Sequence, residues 1–295
     1  MVNQSPWADI DSKKCHSQVN YDLHIHTTAS DGVLTPEQVV YRAYELNLTG
    51  LAVTDHDTVD GLAWAQDYIH DNQLPLDFIP GIEMNTELEG YEIHILGYFI
   101  DPKQEKLCCQ LEQIKWARLE RAERMVKKLR GMGMMIDMTR VQEIAIEELI
   151  ARPHIARALI EKGYISCERE AFDRFIGKGR PAYVPRYKFE PQTAIELIRD
   201  AGGASVLAHP GLLHNDRIVE MVIEMGAQGL EVYYPEHSPG LISKYLELCR
   251  RKNLLVTGGS DYHGTAGISH CYELGTWGVN CELVNQLKRH INRKK

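Results

Sequence analysis

The sequence predicts an α/β barrel of about seven β/α units, interrupted after the fourth strand by a helical insertion. Three observations carry that expectation. Strand-like and helix-like segments alternate over residues 20–101 and again over 191–290, which implies parallel strands covered by helices. The alternation stops at Asp101-Pro102, and residues 104–130 then read as one long charged helix. Histidines and acidic residues recur at the C-terminal ends of the strand segments, where barrels of this kind carry their chemistry.

The elements follow in order. Residues 20–27 (NYDLHIHT) alternate with the period of a strand. Pro36 opens the helix PEQVVYRAYELN, with Thr35 as its N-cap. GLAVTDH is a short buried strand, followed by a helix from about Val59 to Asn72. DFIPGIEMNTEL and YEIHILGYFI are two strands joined around Glu89-Gly90. After the long helix, closed by Gly131 and Gly133, further helical pieces run to about Ile176, and the loop GKGRPAYVPRYKFEP leads out. A helix near 192–201, strand ASVLAHP, a helix near 215–225, strand GLEVYY, a helix near 239–252 and strand LLVTGGSD resume the alternation. A last strand, ELGTWGV, and a helix from about 281 end it. The expected organisation is a barrel from 20–101 and 191–290, an insertion over 102–190, and an N-terminal extension over 1–19.

Composition excludes several classes. With 44% hydrophobic and 25% charged residues the chain is neither fibrous nor disordered. It contains no apolar run of the roughly 18 residues a membrane span needs. The first 18 residues lack the apolar core of a signal peptide. Seven cysteines without a C-x-x-C pair read as reduced thiols, so the expected location is cytoplasmic. The net charge is −8, but residues 102–190 hold 19 Lys and Arg against 13 Asp and Glu, leaving −14 for the remainder. An acidic body with a basic insertion does not suit stable DNA binding.

His24 and His26 lie two apart in a strand, so their imidazoles share a face and can chelate a metal. Asp31 follows on the loop, and Asp55-His56-Asp57 closes the second strand. Glu83 and His94 lie in the third and fourth strands, His209 ends the fifth, and Asp261 and His263 end the seventh. Each has a plain alternative. Asp55-His56-Asp57 reads equally as a turn with an Asp cap, His94 among Ile93, Ile95 and Leu96 as a core histidine, and His209 before Pro210 as a strand terminator. Those alternatives predict unrelated positions, whereas these residues share one end of one barrel. Imidazoles and carboxylates without clustered thiolates suit Mn²⁺, Fe²⁺ or Zn²⁺. Nine such groups support two or three ions.

DLHIHTTASDG, AVTDHDT, PGIEMNT, EIHILGY, LAHPG and GSDYHG resemble, in order and spacing over about residues 20–270, the motifs of the PHP (polymerase and histidinol phosphatase) superfamily. ARPHIARALIEKGY and GKGRPAYVP resemble its TrpH-like branch, which contains nucleoside 3′,5′-bisphosphate phosphatases and a 5′→3′ exoribonuclease. The resemblance implies a distorted seven-stranded barrel with a helical insertion over its mouth. It implies that His24, His26, Glu83 and Asp261 hold a first metal, Mn²⁺ before Fe²⁺ or Zn²⁺. Glu83 would bridge to a second held by His94 and His209, and Asp31, His56 and His263 would hold a third. Where that third site is empty, Asp31 and His56 would face the substrate. Glu83, Asp261 and His263 are then the catalytic set. Asp31, where histidinol phosphatases often carry His, argues against that branch.

The insertion supplies positive charge. Arg118, Arg121 and Arg124 are spaced by three on a similar helix face. A solvated face paired with Glu112, Glu120 and Glu123 is the alternative, and it is favoured for Arg124. Arg152-Pro153-His154 starts a helix, whose free N–H groups suit an anion. The resemblance favours Arg118, Arg121, Arg152 and His154 as substrate-binding residues, with Lys178 and Arg180 as looser candidates. The expected activity is metal-dependent hydrolysis of nucleotide phosphates, either the 3′-phosphate of a nucleoside 3′,5′-bisphosphate or short 5′-phosphorylated RNA read from its 5′ end. The alternatives are a histidinol-phosphate-type phosphatase and a non-catalytic metal-binding module.

Overall fold

The computed structural model describes residues 19–145, 149–264 and 272–293. Seven strands form one sheet in sequence order: β1 (Tyr21–Asp22), β2 (Gly50–Val53), β3 (Asp77–Leu88), β4 (Tyr91–Tyr98), β5 (Ala204–Leu207), β6 (Gly229–Tyr233) and β7 (Leu255–Gly258). The sheet curls until its edges meet. Leu23 N donates to Gly258 O at 3.3 Å, and His26 N donates to Tyr262 O at 2.8 Å. Helices α1 (Pro36–Glu45), α2 (Asp60–Asp71), α7 (Pro191–Asp200), α8 (Asp216–Glu224), α9 (Pro239–Lys252) and α10 (Cys281–Asn292) cover it. Thr35 caps α1 as expected, in a reciprocal pair with Gln38.

Three expectations are corrected. The strands are not all parallel, because β4 runs antiparallel to both β3 and β5. The β3–β4 connection is the two-residue turn Glu89-Gly90, with φ of 50° and 83°, the backbone of a tight hairpin. A parallel pair needs a crossover of a dozen or more residues, and two residues cannot supply it. The segment ELGTWGV is not a strand. Its Gly275 adopts φ of 78°, and only Val279 pairs, with Tyr21. The first strand is also shorter than its alternation suggests. Beyond Asp22 the backbone turns to other partners, with Ile25 N donating to the Thr54 hydroxyl at 3.1 Å.

Between β4 and β5 lie α3 (Glu105–Gly131), α4 (Met138–Ile144), α5 (Arg152–Glu161), α6 (Glu168–Ala171) and a π-helical turn, Phe172–Ile176. The first turns of α3 bury Leu107, Leu111 and Ile114 in the barrel core, around Ile82, Ile95 and Ile198. Its later turns bury Ala122, Met125, Val126 and Leu129 in a second core with Ile155, Leu159, Ile176 and Val184. One continuous helix therefore belongs to both cores. Polar ties reinforce it: Lys178 Nζ donates to Gly90 O at 2.8 Å, and Arg157 Nη2 to Asp31 O at 3.2 Å. The N-terminal extension, apart from residue 19, lies outside the described residues. Among the described residues no helix is long and apolar enough to cross a membrane, and five cysteines are unpaired.

Candidate metal centre and adjoining arginine pocket

Strand ends deliver the cluster. His24 and His26 follow β1, His56 follows β2, Glu83 lies within β3, His209 follows β5, and Asp261 and His263 follow β7. Because β4 runs the opposite way, its N-terminal half lies at the same mouth, and His94 stands opposite Asn85 of β3. Gly259 lets the chain leaving β7 pass the His24 backbone, since a Cβ there would sit 2.4 Å from His24 N. Asp57, His209 and Asp261 all adopt left-handed backbones, with φ of 53°, 29° and 54°. Such strain at three mouth residues persists only where the surroundings hold it, as they do at functional sites.

Four ligand atoms converge first. His24 Nε2 and His26 Nε2 each lie 3.2 Å from Glu83 Oε2, and 3.3 Å and 3.2 Å from Asp261 Oδ1. A tetrahedron with bonds of about 2.0–2.1 Å has edges of about 3.3–3.4 Å, so these separations suit a shared cation. The other oxygen of Glu83, Oε1, lies 2.9 Å from His94 Nδ1 and 3.2 Å from His209 Nε2. Asp31 Oδ1 lies 3.3 Å from His263 Nε2 and 3.9 Å from His26 Nδ1. His56 Nδ1 is 2.9 Å from Glu83 Oε2, so it stands between the second and third groups. His26, with one nitrogen facing each way, joins the first and third groups.

The fit to metal rests on unpartnered atoms. His24 Nε2, both ring nitrogens of His26, Asp31 Oδ1 and Glu83 Oε2 are buried without a hydrogen-bond partner, and all face this centre. Buried polar atoms are rarely left so; a divalent cation in the first group would take His24 Nε2, His26 Nε2 and Glu83 Oε2, leaving His26 Nδ1 to face Asp31 Oδ1. Despite complete burial, the charges of His56, His24 and His94 hold the Glu83 carboxyl well below the usual carboxylate range.

The residues behind the ligands were not singled out from the sequence. Glu231, fully buried on β6, lies 2.9 Å from His24 Nδ1 and accepts from His209 N at 2.8 Å. It fixes the ring so that Nε2 faces the cluster. Its signal was a carboxylate inside the apolar run GLEVYY, since a buried charge needs a partner. Tyr234 donates to Asp261 Oδ2 at 3.0 Å, leaving Oδ1 for the cluster. Asp55 accepts from Thr27 N, Thr27 Oγ1 and Ser30 Oγ, and so shapes the loop that carries Asp31. We expect Glu231→Gln to lower metal affinity and turnover by about 10- to 100-fold, read as metal per chain and phosphate release. Unchanged metal content would reduce Glu231 to a packing role.

Beside the cluster lies a cavity of about 160 Å³ walled by Arg118, Arg121, Arg152 and Arg186. Arg118 sits on its wall, with Nε and Nη2 both bonded to Asp57 Oδ2, which ties α3 to the barrel. Arg121 donates through Nε to Val184 O at 2.8 Å. Burial, then the charges of Arg152, Arg186 and Arg118, push its guanidinium down to about 10. Arg152 lies over the Phe172 ring at 5.1 Å. Arg186, which came from a loop without periodicity and was missed, pairs with Glu92 and leaves Nη1 buried and unpartnered.

The other insertion candidates stand elsewhere. His154 is buried and accepts from Ala151 N at 3.1 Å, capping α5. Burial pushes it down to about 4, so it is neutral near pH 7, and it does not line the arginine cavity. Lys178 ties the insertion to the hairpin. Arg180 and Arg124 are exposed and outside the cavity.

Barrel and cluster together define a metal-dependent phosphoesterase. The chain belongs to the PHP family, whose domain model matches residues 22–163. It is 37% identical over 250 residues to the 5′-3′ exoribonuclease Rnm of Escherichia coli, covering 83% of this chain and 85% of that one. It is 34% identical over 265 residues to the 3′,5′-nucleoside bisphosphate phosphatase of Chromobacterium violaceum, covering 86% and 92%. A solved structure from Bifidobacterium adolescentis, described as a metal-dependent phosphoesterase, superposes with a TM-score of 0.82 at 32% identity, covering 90% of this chain and 94% of that one.

Proposed function

We propose that this phosphoesterase acts on nucleotides bearing a terminal 5′-phosphate. It would remove the 3′-phosphate of nucleoside 3′,5′-bisphosphates, cleave short 5′-phosphorylated RNA from its 5′ end, or do both. The observation that carries this reading is a shared wall. Asp31, His56, His94, Pro153 and Phe172 line both the metal-side cavity and the arginine cavity. A molecule with two phosphate groups can therefore span the two. Charge supports it as well: four guanidiniums and three carboxylates, Asp31, Asp57 and Glu92, line the arginine cavity, and the positive surplus favours an anion.

We assign His24, His26, Glu83 and Asp261 to one divalent ion and Glu83, His94 and His209 to a second. Asp31, His56 and His263 hold a third or face the substrate. Mn²⁺ suits this nitrogen and oxygen set. Bound ions would supply Lewis-acid stabilisation of the phosphoryl oxygens and a more acidic water. The protein's own part is orientation. Arg121, Arg152 and Arg186 seat the distal phosphate, and Phe172 and Tyr187 offer ring faces beside them. His263 Nδ1 lies 2.9 Å from Asp261 O. Its Nε2 is thereby the nitrogen available to a metal or a proton.

A phosphate-release screen with Mn²⁺ tests the reading across nucleoside 3′,5′-bisphosphates, nucleoside 3′-monophosphates, 5′-phosphorylated oligoribonucleotides and an amino-alcohol phosphate. The 5′-phosphorylated substrates should lead, and preference for the amino-alcohol phosphate would overturn it. Arg121→Ala sharpens the test. Losing one charge-assisted contact of about 1.5–3 kcal/mol should cost roughly tenfold or more in kcat/KM for a 5′-phosphorylated substrate. Substrates lacking that phosphate should change little. Equal losses on both would make Arg121 a packing residue of the insertion.

A further inference from the structure

We propose that Glu92 is a positioning residue shared by the two halves of the site, coupling occupancy of the arginine pocket to the metal ligand His94. Glu92 and His94 lie two apart on β4 and face the same side. Glu92 Oε1 is 3.2 Å from His94 Nε2 and also pairs with Arg186 Nη2, while Oε2 lies 3.7 Å from Arg152 Nη2. The opposite nitrogen of His94, Nδ1, is 2.9 Å from Glu83 Oε1. A continuous chain therefore runs from the guanidiniums through one carboxylate and one imidazole to the centre of the cluster. The Glu92 side chain is 46% exposed, so it is free to re-pair without disturbing the core.

The two sets of partners compete for one carboxylate. With the arginine pocket empty, Arg186 and Arg152 draw on the charge of Glu92, as a resident stand-in for an anion. A terminal phosphate seated among those guanidiniums takes over their hydrogen bonds. Glu92 is then left to accept from His94 Nε2 alone, which orients the ring and makes Nδ1 a better ligand. Phosphate in the pocket should thus tighten metal at the Glu83–His94 position, and by linkage metal should tighten phosphate by the same factor. The consequence is specificity: a substrate carrying a second phosphate strengthens the metal site that acts on it. This inference rests on the arginine pocket being the seat of the 5′-phosphate.

The test is calorimetric and does not depend on turnover. Adenosine 5′-monophosphate, adenosine and Mn²⁺ are titrated into the intact protein and into Glu92→Gln. In the metal-free variant, adenosine 5′-monophosphate should bind several-fold to about tenfold tighter, because a competing charge is gone. Mn²⁺ should bind about tenfold more weakly at its weakest site, and the mutual tightening seen in the intact protein should vanish. Opposite signs for the two ligands are the signature, since a merely structural role would weaken both. Glu92→Ala, with its fold checked by circular dichroism, repeats the measurement without the amide. If both ligands weaken, if neither changes, or if the mutual tightening survives the substitution, the coupling is overturned. If the intact protein binds adenosine as well as its 5′-monophosphate, the arginine-pocket reading falls first, which separates the two failures.

Discussion

Glu83→Gln is expected to lower turnover by at least about a hundredfold, taking the 10- to 100-fold cost of changes behind metal ligands as a floor, and to release more than one metal ion per chain. Both carboxylate oxygens are engaged. Oε2 lies 3.2 Å from His24 Nε2 and from His26 Nε2, and 2.9 Å from His56 Nδ1. Oε1 lies 2.9 Å from His94 Nδ1 and 3.2 Å from His209 Nε2. An amide keeps the shape but replaces one oxygen with an N–H donor, which cannot bind a cation. The fold should survive, because Glu83 N still donates to Asp55 O and Glu83 O still accepts from Asp57 N. Asp261→Asn provides the comparison. Only Oδ1 of Asp261 faces the cluster, while Oδ2 accepts from Tyr234, so one ion rather than two should be lost. Metal analysis of purified protein alongside phosphate release decides the matter. Near-normal turnover with full metal content in Glu83→Gln would remove it from the centre.

What the chain disclosed in advance follows from what periodicity encodes. Short apolar runs located β2, β5, β6 and β7, because burial leaves a mark in the sequence, and the long charged stretch over residues 104–130, closed by Gly131 and Gly133, located α3. Strand direction leaves none. YEIHILGY alternates identically whether β4 runs up or down, and only the brevity of Glu89-Gly90 reports the reversal. The nine candidate ligands were readable because imidazoles and carboxylates recur at strand ends. Their partners were harder to see. Glu231 is a single carboxylate inside an apolar segment, buried against His24 Nδ1 and His209 N. The insertion was read only in part. Arg118, Arg121 and Arg152 line the pocket, with Arg118 also bonded to Asp57, whereas His154 caps a helix outside it. Arg186, which walls the pocket, came from a loop with no pattern to single it out.

Chelation is expected to abolish phosphate release altogether and to lower the melting temperature, and Mn²⁺ is expected to restore both. The two effects share a cause. Without cations, five buried atoms on His24, His26, Asp31 and Glu83 have no hydrogen-bond partner, and three carboxylates crowd one mouth. Each ion that binds the folded chain alone stabilises it by about 4 kcal/mol at a thousand times its Kd. For a chain of this size, that is a shift on the order of 10 °C in Tm. The rate effect is larger, because the metal-side cavity is lined chiefly by imidazoles and carboxylates, with Arg169 and Tyr234 beside them, and has little else to offset charge on a phosphoryl group. Repulsion between those carboxylates and an incoming phosphate makes the metal-free mouth a poor site for binding as well as for chemistry. Titrating Mn²⁺ into chelated protein should therefore raise Tm and activity in successive steps, with full turnover reached only after the Glu83–His94–His209 position fills. Restored Tm without turnover would be the behaviour of a structural metal module, and full turnover in verified metal-free protein would sink the mechanism.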